Sequence, residues 1–263
     1  MNRKPNFFKS LSLMAVSLII LATCIPIYAE KLSPEKQNQL NDYYQQAWNL
    51  LGQMHKDVSN LDKANAIYQK ALALAPNESK TYWKMAEISF KKAQETKDEA
   101  AAKKLYEQSL ENAKKAVSIN PNSVEGLYWV GTCEAKLAEL AGIFKAMGLV
   151  KSAKINFNKC IELEPNNRFS VLARVILAVL YTETPWPLRD LSEADKLAAK
   201  AVEMDPNLTL ASVKRAKVHI KNGYNDLAKK ELQRCLSIKN PTYAWDSELY
   251  DWPEAKNLLN QLQ

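Results

Sequence analysis

The side chains able to do polar chemistry are few and scattered along this 263-residue chain. Two histidines, His55 and His219, stand far apart, and the four cysteines are Cys24, Cys133, Cys160 and Cys235. No His, Cys or carboxylate cluster has metal-ligand spacing. A Gly-x-Ser-x-Gly elbow, a phosphate-cradling loop and a dinucleotide fingerprint are all missing, and six glycines leave little material for such loops. These gaps argue against an enzyme and imply no cofactor. The chemistry on offer is binding: Trp83, the adjacent pair Tyr128 and Trp129, and Trp186 between two prolines could build an apolar groove. The same rings could instead fill gaps in a core. Lys56, Lys91, Lys136 and Lys221 recur near helix ends, either as a cationic ladder or as solvated caps that complement the helix dipole.

What would position these residues is a repeat. Trp48, Leu51, Gly52, Ala64, Tyr68, Ala71 and Pro76 fall at the offsets of a tetratricopeptide unit, a helical hairpin of about 34 residues. The small residues allow close helix approach, and proline ends the second helix. Further copies close on Ala113, Ala116 and Pro121; on Ala153, Phe157, Cys160 and Pro165; on Ala194, Ala198, Ala201 and Pro206; and on Ala228, Cys235 and Pro241. Val130-Gly131 is the close-approach pair of the third copy. Cys160 and Cys235 fill a slot held elsewhere by alanine, so they read as small buried hydrophobes, as does Cys133. His55 and His219 fall where such a unit carries tyrosine, a packing position. The expected fold is all-α: a right-handed superhelix of about five hairpins over residues 45–241, after a lead-in at 30–44, with 242–263 as a C-terminal capping segment. Its inner face should present Asn49 and Gln53, Trp83 and Glu87, Tyr128 and Thr132, and Val213 and Lys217. The two-proline stretch at Pro185 and Pro187 makes a stiff connection.

Residues 1–29 stand apart. Arg3, Lys4 and Lys9 precede an apolar run, Leu11 to Ala22, followed by Pro26 and Ala29, which is the pattern of a secretory signal peptide. Cleavage after Ala29 would release a soluble, exported, periplasmic protein. The alternative is lipid attachment at Cys24, which would tether it to a membrane. The formal charge of +7 includes those three leader cations, leaving +4 on the remainder. Nothing there suggests nucleic acid as a partner, because no dense Lys/Arg run is interleaved with aromatics.

From Gly126 onward the details are narrower than a generic repeat. Gly126-Leu127-Tyr128-Trp129, the apolar extension Leu140 to Ala146, Leu149-Val150-Lys151 and Ala173-Arg174-Val175 through Tyr181 resemble the T component of tripartite ATP-independent periplasmic (TRAP) transporters. That resemblance implies a protein partner, a periplasmic solute-binding protein, and an apolar carboxylated ligand in a groove. It would place Tyr128, Trp129, Phe144, Arg174 and Tyr181 around the cavity, with Arg174 neutralising the carboxylate. A general adaptor of cell-envelope complexes is the alternative. The Pro185-Trp186-Pro187 loop is also similar to regulators of microtubule dynamics, which share the repeat; the export-type leader argues against that role.

Overall fold

The computed structural model describes residues 32–185 and 188–262. The leader with Cys24, and Trp186 with Pro187, lie outside the described residues. The rest is helical. Five antiparallel hairpins follow one another: α1 (Pro34–Leu51) with α2 (Asn60–Leu74), α3 (Ser79–Glu95) with α4 (Glu99–Ile119), α5 (Val124–Glu139) with α6 (Ile143–Leu163), α7 (Arg168–Glu183) with α8 (Leu191–Met204), and α9 (Thr209–Lys221) with α10 (Asn225–Ser237). The expected lead-in at 30–44 is largely the first half of α1. Its start is set by Ser33, whose hydroxyl accepts from the Lys36 amide, and by Pro34, whose missing N–H costs nothing there.

The chain turns between hairpins in the same way four times. Ala75, Asn120, Glu164 and Asp205 each precede a proline and each has φ between −142° and −130° with ψ between 79° and 96°. Proline Cδ pushes its predecessor out of the helical region, so the second helix must stop there. After the first three turns the next helix is capped by a polar side chain: Glu78 accepts from the Lys80 amide, Ser123 from that of Gly126, and Asn167 from that of Phe169.

The repeat-defining small residues are the core. Ala64 and Ala71, Ala113 and Ala116, Ala153 and Cys160, Ala194 and Ala201, and Ala228 and Cys235 are all fully buried. A methyl added at Gly131 would lie 2.8 Å from the Phe157 ring, which is why that slot needs glycine. Cys133, Cys160 and Cys235 are unpaired and buried, and burial pushes all three thiols up in pKa, as packing residues require.

The carboxyl-terminal segment holds a capping helix and, before it, an element of a different kind. Only α12 (Trp252–Gln261) covers the last hairpin, with Ala255 buried and the Trp252 indole donating to the Cys235 carbonyl at 3.2 Å. Before it, α11 (Ala244–Asp246) and a π-helical turn (Ser247–Asp251) run back to the first two hairpins. Trp245 meets Trp48 edge-on at 5.3 Å, Lys91 pairs with Asp246 at 2.5 Å, and the Tyr250 hydroxyl donates to Glu95. At the other end Thr209 donates to Asp251 at 2.6 Å. Residues 243–251 therefore form a strap joining the last hairpin to the first.

Candidate functional site

Between the strap and the first helices of the hairpins lies a cavity of about 580 Å³. Its apolar wall comes from α3, α5 and α7: Phe90, Trp129, Phe169, Leu172, Ile176 and Leu180. Edge and tilted contacts hold the rings, with Tyr128 5.2 Å from Trp129 and 5.3 Å from Phe169. Trp129 is buried, and its indole N–H has no hydrogen-bond partner among the described residues. A buried donor without an acceptor is costly, so Trp129 holds its place through ring packing and not through a hydrogen bond.

The rim is charged but internally matched. Lys136 pairs with Glu139 at 2.6 Å, Lys214 with Glu254 at 2.6 Å, and Lys217 with Glu254 at 3.3 Å, besides Lys91 with Asp246. Asp251 is deeply buried. Burial raises its pKa to about 6 although the Thr209 hydrogen bond acts the other way.

A second cleft adjoins the first and shares Arg168 and Phe169 with it. Here cations crowd onto aromatic faces. Lys84 lies 4.2 Å over Trp48 and 4.4 Å over Trp83, Lys80 lies 4.4 Å over Tyr44, and Arg168 lies 5.3 Å from the Trp48 ring. Lys84 is buried and paired with Glu87 at 3.1 Å; burial lowers its pKa, and Arg168 and Lys80 push the same way. Lys80 and Arg168 are exposed and have no carboxylate partner among the described residues. With Lys84 paired to Glu87, the cleft sets Lys80 and Arg168 against the single carboxylate of Glu125, a net positive charge beside an apolar chamber.

The inner-face register holds at most positions. Glu87, Tyr128, Thr132 and Lys217 line the main cavity and Trp83 the second cleft. Val213 is instead core, while Asn49 and Gln53 are exposed and line neither. Three residues placed by resemblance are corrected. Phe144 stands 89% exposed at the α5–α6 tip. The Arg174 guanidinium donates to the carbonyls of Pro165 and Ser170, at 2.9 and 3.0 Å, so it fastens a turn and does not face a ligand. Tyr181 lies under Lys154 at 3.7 Å, outside the cavity. His219 is buried 3.8 Å from Asp195, with burial lowering its pKa, and His55 is 3.8 Å from Glu248. Of the lysine ladder, Lys91 and Lys136 reach the rim, both already paired.

The sequence reading missed Phe169, Leu172, Ile176 and the strap. One signal was available: Glu87, Thr132 and Lys217 each follow the second residue of the close-approach pair, and the same step after Ala178 gives Val179, which does line the cavity.

Comparison with known proteins decides the family. The family model described as Regulator of microtubule dynamics protein 1-3 matches residues 43–263. The chain belongs to this family. The family shown is thus the one suggested by the Pro185-Trp186-Pro187 loop and not the TRAP T component. Regulator of microtubule dynamics protein 1 of Rattus norvegicus is 30% identical over 140 residues, covering 48% of this chain and 45% of that protein. The Homo sapiens protein is 30% identical over 113 residues, covering 42% and 36%. The matched stretch is about half or less of these relatives' length. Among solved structures, the tetratricopeptide protein TTC0263 of Thermus thermophilus superposes with a TM-score of 0.61 at 17% identity, over 84% of this chain and 99% of that one. Pseudomonas aeruginosa PilF follows at 0.56 and 12%, over 87% and 92%. At such identities these likenesses establish the tetratricopeptide fold.

Proposed function

We propose that the chain is a non-catalytic binding scaffold that holds an apolar ligand bearing an acidic group beneath the strap. The observation that carries this is the ring-lined cavity opening beside Lys80 and Arg168. The apolar body would lie along Phe90, Leu172, Ile176 and Leu180. Its carboxylate would reach toward Lys80 and Arg168, so Arg168 takes the role expected of Arg174. A long-chain fatty acid and the matching alcohol test this in a fluorescent displacement assay. Arg168→Glu should weaken the acid and spare the alcohol, while Leu172→Trp should weaken both by filling the chamber. Equal loss of acid and alcohol in Arg168→Glu would refute the assigned polarity.

The protein-binding side of the reading draws on the repeat fold, whose concave faces commonly hold partner segments. Its narrower form, an accessory of TRAP-type uptake beside a periplasmic solute-binding protein, draws on the leader pattern and on the residue resemblance from Gly126 to Tyr181 alone, without support from the family match. Export, with cleavage after Ala29 or lipid attachment at Cys24, is proposed on the leader residues alone. Capture from a cell-envelope extract separates the outcomes: a solute-binding protein supports the narrower form, other envelope proteins the general adaptor. Retention of assembled microtubules would instead favour the role in the relatives' name.

A further inference from the structure

The α5–α6 tip is built against the usual logic of a soluble surface. Phe144 is 89% exposed, Ile143 66% and Met147 54%, with Leu140 exposed beside them. Ile143, Phe144 and Met147 occupy the first turns of α6, so they share one face. A methyl placed on Gly142 or Gly148 would meet nothing within 4 Å, so the tip projects clear of its surroundings. Lys136 and Glu139 neutralise each other. Lys145 and Lys151 are exposed and lack a carboxylate partner among the described residues, leaving positive charge around an apolar knob.

Few occupants fit this shape. A stable protein interface needs roughly 800 Å² from each partner, more than four side chains on a convex tip provide. A bilayer surface asks for less: a few apolar side chains entering about 5–10 Å, with cations on acidic headgroups, give weak reversible attachment. We propose that the α5–α6 tip is a membrane-surface contact, with Ile143, Phe144 and Met147 entering the headgroup–acyl boundary of an anionic bilayer while Lys145 and Lys151 meet its headgroups.

The test uses the chain from Leu32 onward, because the hydrophobic clusters of all five hairpins close among these residues. Sedimentation with vesicles of phosphatidylcholine alone, or mixed with phosphatidylglycerol, should show binding to the mixed vesicles that falls with salt. Phe144→Asp with Met147→Asp should reduce it by about tenfold or more, and Lys145→Glu with Lys151→Glu should abolish the preference for acidic lipid. All these positions are exposed, and circular dichroism checks that the variants fold. A dye on Phe144→Cys, readily selective because the native thiols are buried, should shift to the blue with mixed vesicles. No binding by the parent chain, binding unchanged by the paired aspartates, or a parent dimer that they dissociate would overturn the proposal.

Discussion

At the level of single residues, the buried ionisable groups carry the most direct consequences. Asp251 has a folded pKa of about 6, above its unfolded value, so the folded chain binds the extra proton. Its contribution to stability is therefore present at low pH and is lost as pH rises through about 6. Asp251→Asn should raise Tm by about 2–6 °C near pH 8, with little change near pH 4. A scanning calorimetry series across that range checks it; an equal gain at both ends would show that charge is not the cause. Lys84 sits in the opposite balance. Glu87→Ala would leave its ammonium buried and unpaired, a loss of about 3 kcal/mol near neutral pH that shrinks as pH rises, because burial already holds the lysine below its ordinary pKa. Gly131→Ala should cost about 1–3 kcal/mol in urea denaturation, because the added carbon meets the Phe157 ring where neither helix can yield.

At the level of elements, what was legible in the sequence follows from periodicity. Alanines three and four residues apart, closed by proline, can bury only against another copy, so the hairpins and the inner-face register were readable. The strap was not. Trp245, Asp246 and Tyr250 show no repeat, and each is held by a partner 155 residues or more away: Trp48, Lys91 and Glu95. Arg174 misled for a different reason: the transporter resemblance put it at the cavity, but two backbone carbonyls drew its guanidinium into a turn. Phe144 misled because the same resemblance carried the apolar run after Leu140 to the cavity, whereas that run stands exposed at the α5–α6 tip. The strap has its own test. Trp245→Ala, Lys91→Ala and Tyr250→Phe together remove its contacts to Trp48, Lys91 and Glu95 while leaving Asp251 and Thr209 in place. Hydrogen exchange over residues 243–251 should quicken strongly, with α4 and α6 unaffected; unchanged protection would mean that the anchorage lies elsewhere.

Taken whole, a stack of hairpins in which each touches only its neighbours should fray from both ends. Here the last hairpin is tied to the first through residues 243–251, and α12 seals the far end. Removing residues 243–263 should divide one unfolding transition into two or more, seen as tryptophan fluorescence and circular dichroism losing coincidence in urea. A single coincident transition in the shortened chain would show that neighbour contacts suffice.

On the proposed binding role, the buckle formed by Trp245, Asp246 and Tyr250 would also bear on traffic: residence time would reflect how often the clasp slips as well as how tightly the walls grip. Acid, by neutralising Asp251 where the strap meets the last hairpin, should favour the fastened strap, and a ligand taken up at neutral pH would then be retained longer as protons accumulate.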